Sequence, residues 1–349
     1  MIYSTKVILK IRDAIVKRPV AKRAGGAAMV PPREENSARR QYLAEVSHLY
    51  YNKGKTQQEI AEIVGVTRSG VSRLLAEARE KGVVEIVVHY PWQTSRELED
   101  RLSGLFGLKD VRVLVRGGKS DQEMLEGLGS VAARYFLNCL SDGDIVGISW
   151  GTALHSMLQA IRPTWRPAAK VVQLIGGTGA EHSSKVGPLL APMLANLLGC
   201  TCHYLHAPLI TESEEFCRAV MRERPIRETL DLGRKADIAL VGIGSTHPDI
   251  YNPFRLGYVS REELEELTRA GAVGLVCGRH YSIDGTELDI PVNRRVVGLS
   301  LRELAEVGRV IGIAGGSLKA ESILGALRGG HVNVLITDDV AARRALELC

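Results

Sequence analysis

Two hydrophobic rhythms run along the chain. Between residues 43 and 78 apolar side chains recur every three or four positions; beyond about residue 110 they gather in short β-branched runs separated by helical patterns. The first rhythm predicts a small helical domain over residues 39–92, and the second an α/β domain over residues 110–349. Residues 93–109 read as a linker helix, with Leu98, Leu102 and Leu105 on one face. Residues 1–38 keep neither period and are expected to form a disordered extension.

In residues 39–92, Leu43, Val46, Leu49 and Tyr50 mark the face of a first helix. Thr56 and Glu59 have the spacing of a capping box, so a second helix starts there. It buries Ile60, Ala61 and Val64 and ends at Gly65, where glycine permits a left-handed turn. Thr67 caps a third helix with Val71, Leu74, Leu75 and Ala78 on its inner face. The pattern Gln57-x3-Ala61-x3-Gly65-x5-Val71-x2-Leu74 is that of a helix-turn-helix. Ala61 is small where the third helix crosses, and Gly65 makes the turn. Arg68, Ser69, Ser72 and Arg73 then lie on the outer face of the third helix, where a recognition helix meets base edges; Thr56, Gln57 and Thr67 join them as candidate DNA contacts. Arginine reads guanine bidentately, and hydroxyls bond phosphate or base. Residues 83–88 read as a wing strand. Without the outward basic residues, the same caps and glycine would indicate only a small helical bundle.

The second rhythm predicts strands at 111–115, 145–149, 171–175, 238–242, 273–277, 310–314 and 332–337. Helices are expected at 124–139, 153–161, 261–270 and 319–327. Such alternation indicates a doubly wound parallel sheet, which binds ligands beyond the C-terminal strand ends, near a switch in strand order. Four strand ends carry glycine and hydroxyl residues: Ser149-Trp150-Gly151-Thr152, Gly176-Gly177-Thr178-Gly179, Gly242-Ile243-Gly244-Ser245 and Gly315-Gly316-Ser317-Leu318-Lys319. Glycine lets backbone N–H groups approach an anion, hydroxyls add donors and Lys319 adds charge; the set suits a phosphate ester. Any one loop alone is as readily a tight turn.

Charge and cysteine usage narrow the picture. Of the net +5, residues 1–40 hold ten Lys/Arg against three Asp/Glu, so the basicity belongs to the N-terminal arm. Such an arm attracts polyanions. Residues 41–91 balance six basic against six acidic side chains, so each monomer would hold DNA modestly and self-association is expected. Six scattered cysteines in a chain of 349 residues are no disulfide framework and fit a reducing cytoplasm. No apolar run is long enough for a membrane span. Several chemistries lack their motifs: no G-x4-G-K-[ST], no G-x-S-x-G, and His247 where a dinucleotide fingerprint needs a third glycine. Cys200, Cys202, His203 and His206 lie close together without a zinc spacing, and a packing role is expected, with no metal and no cofactor. Asp284, before Gly285, offers a carboxylate for sugar hydroxyls, and equally suits a surface turn.

The helix-turn-helix and the segments Asp144-Ile145-Val146-Gly147-Ile148-Ser149-Trp150-Gly151, Ala236-Asp237-Ile238-Ala239-Leu240-Val241-Gly242-Ile243-Gly244, Gly274-Leu275-Val276-Cys277-Gly278 and Ile313-Ala314-Gly315-Gly316-Ser317-Leu318-Lys319 follow in order and spacing. The chain thereby resembles, over about residues 40–348, the SorC family of bacterial transcriptional regulators, whose effector domain is described as sugar-binding and DeoR-like. The resemblance implies a winged helix-turn-helix on operator double-stranded DNA. It also implies a domain similar in fold to ribose-phosphate isomerase and glucosamine-phosphate deaminase, a phosphorylated sugar or polyol effector, and dimers or tetramers. The effector contacts implied are Ser149, Gly151, Thr152, Gly177, Thr178, Gly244, Asp284 and Lys319. The expectation is a regulator of a carbohydrate catabolic operon and no enzyme. The rival is a sugar-phosphate isomerase or deaminase with an appended helix-turn-helix, which would need a general base with an acid partner.

Overall fold

The computed structural model describes residues 32–84, 92–177 and 189–349. The chain divides into two compact units, Met1–Tyr90 and Pro91–Cys349.

The first unit contains α1 (Pro32–Ser47), which continues as a π-helical turn His48–Asn52, then α2 (Gln57–Val64) and α3 (Arg68–Glu80). Helix α1 begins at Pro32, ahead of the boundary expected at residue 39; proline fits a first helical position, where its missing N–H costs nothing. Tyr42, Leu43 and Val46 of α1 meet Ile60, Ala61 and Val64 of α2 and Val71, Leu74, Leu75 and Ala78 of α3 in one apolar core. Leu49 and Tyr50 are only half-buried, because the wider π turn rotates them off the face that Leu43 and Val46 define. The expected wing strand lies largely outside the described residues; Val83 and Val84 pack against the core.

Among its described residues the second unit has nine strands: β1 (Asp110–Leu114), β2 (Ile145–Ile148), β3 (Lys170–Gln173), β4 (Thr201–His203), β5 (Ile238–Ser245), β6 (Ala272–Val276), β7 (Arg279–Ser282), β8 (Arg309–Ile313) and β9 (Val334–Asp338). Seven form a parallel sheet in the order β1-β9-β8-β5-β2-β3-β4. Strand side chains alternate between two cores, as a sheet covered on both faces requires. Ile238 and Leu240 of β5 face one core with Leu128, Phe136, Leu154 and Leu194; Ala239 and Val241 face the other with Leu98, Leu102, Leu230 and Ile323. Helices Asp121–Cys139, Thr152–Ala160 and Leu190–Leu198 cover the first face. Helices Arg96–Phe106, Arg224–Arg234, Ala320–Arg328 and Asp339–Glu347 cover the second. This is the doubly wound arrangement that the sequence predicts.

Three details differ from the sequence reading. The strand expected at 273–277 is not part of the parallel sheet. Strand β5 runs past Gly242, and β6 pairs antiparallel with its far end, Ile243 opposite Val276. The second difference is β7, which the pattern does not reveal; it pairs antiparallel with β6 through a two-residue turn, Cys277-Gly278. Both turn residues have positive φ, +50° and +76°, the geometry of a tight hairpin. Third, Leu105 is 56% exposed while Leu98 and Leu102 are fully buried, so the linker helix buries a narrower face than expected. No helix among the described residues is long and apolar enough to cross a membrane.

Candidate functional site

In the first unit the outer face of the turn between α2 and α3 is polar. The Thr56 hydroxyl accepts from the Glu59 N–H at 3.2 Å, and the Glu59 carboxylate accepts from the Thr56 N–H at 2.8 Å. The hydrogen bonds that the carboxylate accepts from the Thr56 N–H and from the Thr56 hydroxyl hold the Glu59 carboxyl below the usual carboxylate range. Gly65 takes φ +68° and ends α2. Thr67 then caps α3, accepting from the Gly70 N–H at 3.1 Å, with its hydroxyl 3.0 Å from that of Ser69. With Val71, Leu74, Leu75 and Ala78 turned inward, Arg68, Ser69, Ser72 and Arg73 are all exposed. Among the described residues neither Arg68 nor Arg73 forms an ion pair. Thr56, Gln57 and Arg68 border one shallow groove with Tyr50 and Lys55. The sequence reading passed over Tyr50 and Lys55 as groove residues; a lysine directly before the cap was the available signal.

Behind this face, Glu77 of α3 accepts from Arg39 through both carboxylate oxygens, at 3.1 and 2.5 Å, and from Lys81 at 2.7 Å. The hydrogen bond from Arg39 is the main cause that lowers the Glu77 carboxyl to about 2. This pairing ties α1 to the recognition helix.

In the second unit a cavity opens at the C-terminal ends of β2, β5 and β8. Crossovers from β2 proceed outward through β3 and β4, while those from β5 proceed the other way through β8 and β9. The cavity therefore lies at the switch in strand order, where two crossovers diverge and leave a crevice. Ser149, Gly151, Thr152, Gly244 and Lys319 all line it. Ser149 is buried, its N–H bonded to the Leu240 carbonyl at 3.0 Å and its hydroxyl 3.4 Å from the Gly242 N–H. Gly151 takes φ +150°, a conformation that side chains disfavour, and directs the chain into the helix Thr152–Ala160. Its carbonyl accepts the first helical bond, from His155, at 2.9 Å. Gly151, Thr152 and Ala153 thus present a helix N-terminus to the cavity, with first-turn N–H groups that have no acceptor inside the helix.

Lys319 reaches the same space from the short 3-10 turn Ser317–Lys319, and its Nζ donates to the Ile243 carbonyl at 2.6 Å. Removal from water lowers its pKa to about 8. The turn is anchored from below, since the Gly316 N–H donates to Oδ1 of the buried Asp338 at 2.7 Å. Burial raises the Asp338 carboxyl above the usual range.

Two of the expected effector residues, Gly177 and Asp284, do not line the cavity. Gly177 is engaged in the protein's own backbone ladder. Its N–H donates to the Ala207 carbonyl at 2.8 Å and its carbonyl accepts from Leu209 at 2.9 Å, so the donor that a phosphate would need is already engaged. Thr178 lies outside the described residues. Asp284 is exposed in the turn after β7, where its carboxylate accepts from the Thr286 hydroxyl at 3.4 Å, and it does not line the cavity. The carboxylate expected to meet sugar hydroxyls serves its own turn instead, and it is held below the usual range chiefly by a hydrogen bond from Ser282.

Conversely, Ile210, Ile250, Asn252, Pro253, Leu275 and Cys277 line the cavity without having been foreseen, and Ser245, named only as part of a strand end, joins them. The sequence offered for Cys277 only its place before Gly278, because the hairpin itself is not visible in the pattern. Burial pushes its thiol up to about 12. The segment Ile250–Pro253 is held from behind by a buried network. Asn293 donates its amide N–H groups to the carbonyls of His280 and Leu288, which fixes its Oδ1 as the acceptor from His280. Nδ1 of His280 therefore carries the proton at 2.8 Å from Oδ1, and Nε2 accepts from the Tyr251 hydroxyl at 2.7 Å. Desolvation lowers the His280 pKa to about 4, so the imidazole is neutral.

Cys200 and Cys202 pack against the core around Leu194 and Leu198, and His203 is exposed on the alternating strand β4. Burial raises both thiols. Among the described residues no three His, Cys, Asp or Glu side chains gather as a metal site.

Residues 90–347 match the family model for a sugar-binding domain (Sugar-bind), and residues 46–90 match that of the MarR family. The deoxyribonucleoside regulator of Bacillus subtilis is 34% identical over 305 residues, covering 87% of this chain and 97% of the relative. The transcriptional regulator LsrR of Klebsiella pneumoniae is 32% identical over 314 residues, covering 89% and 94%. The crystal structure of the full-length sorbitol operon regulator SorC from Klebsiella pneumoniae superposes with a TM-score of 0.67 at 29% identity, covering 88% of this chain and 99% of that one. The domain matches and the relatives agree with the helix-turn-helix and the doubly wound sheet: the chain belongs to the SorC family of transcriptional regulators, with an N-terminal helix-turn-helix and a C-terminal sugar-binding domain.

Proposed function

We propose that this regulator controls a carbohydrate catabolic operon by binding operator double-stranded DNA as a dimer or tetramer, under the control of a phosphorylated sugar or polyol. Thr56, Gln57, Thr67, Arg68, Ser69, Ser72 and Arg73 form the DNA-contacting face, with the arginines on base edges and the hydroxyls on phosphate or base. The effector phosphate sits at the N-terminus of the helix Thr152–Ala160, within reach of Ser149, Gly151, Thr152 and Lys319. The observation that carries this reading is the convergence of that helix end and Lys319 on one cavity at the switch in strand order. The effector binds with different affinity to arrangements that match and mismatch the operator half-sites, since a ligand indifferent to the two would regulate nothing.

A retained isomerase or deaminase activity finds no support in the cavity. Among the described residues its lining holds no carboxylate and no imidazole to serve as the general base of such chemistry. The cytoplasm is the compartment that fits a DNA-binding protein with six free thiols.

Thermal unfolding with phosphorylated sugars and polyols, each beside its unphosphorylated partner, tests the proposal. A ligand at about 100 times its dissociation constant stabilises by about 2.7 kcal/mol. A shift confined to a phosphorylated compound and lost in Lys319→Ala is the expected result. Equal shifts with the unphosphorylated partners would overturn the phosphate assignment.

A further inference from the structure

The helix Asp121–Cys139 touches both elements that offer polar groups to the cavity. It crosses the helix Thr152–Ala160 at Gly129, so closely that a Cβ there would stand 2.5 Å from the Ser156 carbonyl. One turn earlier, Met124 and Leu128 pack against Gly315, just before the turn that carries Lys319. A Cβ on Gly315 would stand 2.5 Å from Leu128 and 2.8 Å from the Met124 sulfur. At each contact one partner is a glycine, so the surfaces meet with no space between them.

A third contact of the same helix leads away from the cavity. At Gly127 it receives the Trp92 indole, which would lie 2.9 Å from a Cβ at that position. Lys119, just ahead of the helix, holds its Nζ over the same ring, 5.4 Å from the centroid. Trp92 is half-buried against the core that contains Met124 and Leu128. Residues 93–95, which follow it, run antiparallel beside β1: the Val115 N–H donates to the Gln93 carbonyl, and the Ser95 N–H to the Val113 carbonyl, both at 2.8 Å. Trp92 is the second residue of the larger unit, directly after the point where the chain leaves the helical unit.

A helix moves as one body, and close-packed contacts leave no slack in which a displacement is lost. Shifts of packed helices by about 1–2 Å are a recurrent form of switching. Resting on the reading of this cavity as the effector site, we propose that the helix Asp121–Cys139 relays effector binding out of the cavity and that Trp92 is its output. A ligand held by the end of the helix Thr152–Ala160 and by Lys319 draws these two elements together. Gly129 and Leu128 follow them, and Gly127 carries the indole along. Because residues 93–95 are fixed to β1, the displacement is passed towards the helical unit. Trp92 is thus a positioning residue, remote from the ligand, through which occupancy reaches the DNA-binding end of the chain.

The chain has three tryptophans, so fluorine NMR of the full chain labelled with 5-fluorotryptophan tests the relay directly. Trp150 lines the cavity and reports occupancy, Trp92 reports the relay, and Trp165, exposed and outside the lining, is the control. Replacing each by Phe assigns its resonance. Sorbitol 6-phosphate, fructose 6-phosphate, ribose 5-phosphate and 2-deoxyribose 5-phosphate are titrated singly. A compound that moves Trp150 is expected to move Trp92 with the same midpoint and to leave Trp165 in place. Movement of Trp150 without Trp92 overturns the relay and leaves the effector reading standing. Two variants act without any ligand: Gly129→Ala wedges the helix crossing, and Lys319→Ala frees its turn from the Ile243 carbonyl. Each is expected to shift Trp92. A folded variant pair that leaves Trp92 unmoved overturns the relay, whereas silence of Trp150 towards all four compounds counts against the effector reading alone. Trp92→Ala separates a relay from a purely structural role. It should keep the Trp150 response, while the compound's effect on operator affinity, at least about fivefold in the parent, falls below about twofold. A variant that matches the parent in both readouts overturns the proposal.

Discussion

The two recognition regions of this regulator are built on opposite plans. The proposed DNA face is assembled from one short stretch, Thr56 to Arg73, whose polar residues stay exposed because every third or fourth neighbour is buried behind them. The proposed effector cavity draws on residues from Ser149 to Lys319, and its groups are buried or half-buried apart from the exposed Thr152. The contrast follows from the ligands. A duplex is a polyanion met on an open surface, where charge and helix spacing suffice. A small phosphate ester must be surrounded, so distant strand ends have to converge. Changes on the DNA face should therefore cost affinity without stability, and changes around the cavity should cost both.

The largest effect expected tests the first half of that contrast. Replacing Arg68 and Arg73 together by Ala should weaken specific operator binding by about 2–6 kcal/mol, from about 1–3 kcal/mol for each lost bidentate contact. Both side chains are exposed, so the unfolding temperature should not move. A gel-shift titration beside a melting curve measures the two quantities. Loss of stability in parallel with loss of DNA binding would place these arginines in the fold instead of on the ligand.

Gly129 tests the second half. It lies where the helix Asp121–Cys139 crosses the helix Thr152–Ala160, and a Cβ there would come within 2.5 Å of the Ser156 carbonyl. Gly129→Val must push apart two helices, one of which presents its N-terminus to the cavity. Overpacking of this kind costs about 3 kcal/mol. Chemical denaturation should register that loss, and effector affinity should fall with it because Thr152 moves with its helix. A variant as stable as the parent would show that the crossing yields freely.

How far each region was legible follows from how local its determinants are. The capping box at Thr56, the left-handed Gly65 and the apolar spacing of α3 all act within one or two helical turns, so the sequence carried them in full. The parallel strands were legible as apolar runs, and Ser149, Gly151, Thr152 and Lys319 as unusual strand ends. What escaped depends on distant partners. Gly177 looks like a ligand loop until Ala207 and Leu209 bond to it. Strand β7 holds His280, whose polarity hides a strand until Tyr251 and Asn293 are seen to satisfy it. Ile250, Asn252 and Pro253 have no motif at all, and they become cavity residues only because β6 and β7 fold back beside the end of β5.

That hidden network supplies a pH dependence peculiar to the larger unit. The His280 pKa is about 4 in the folded protein, against an ordinary value of 6.5. Between those values the unfolded chain binds a proton that the folded one refuses, so stability falls as pH drops from 6.5 towards 4. At most this amounts to about 3 kcal/mol. Above pH 6.5 the contribution is fully present. Urea denaturation across this range, followed on the parent and on His280→Gln, should show the slope in the parent and a shallower one in the variant, where the buried His331, also held below its ordinary range, still contributes. An equal slope in both would assign the effect elsewhere.

The smallest effect expected isolates the helical unit again. Glu77 is held at about 2 by Arg39 and Lys81, so its contribution is present above the ordinary carboxylate range and fades only as pH falls from about 4.5 towards 2. It therefore titrates below the window of His280, and the two units should lose stability in sequence on acidification, the larger unit first. The pair is partly exposed, the two side chains retaining 29% and 24% of their accessible surface, and solvent screening limits it to about 1 kcal/mol. Glu77→Gln should lower stability by that amount at neutral pH and leave effector-induced stabilisation of the sugar-binding unit unchanged. Because Arg39 lies on α1 and Glu77 on the recognition helix, the same change loosens the angle at which Arg68 and Arg73 are offered to DNA. Operator affinity should then fall several-fold at low salt although no contacting residue has been altered. Unchanged affinity beside reduced stability would mean that the apolar core around Val71 and Leu74 alone sets that angle, and the DNA face would be more self-contained than its ion pairs suggest.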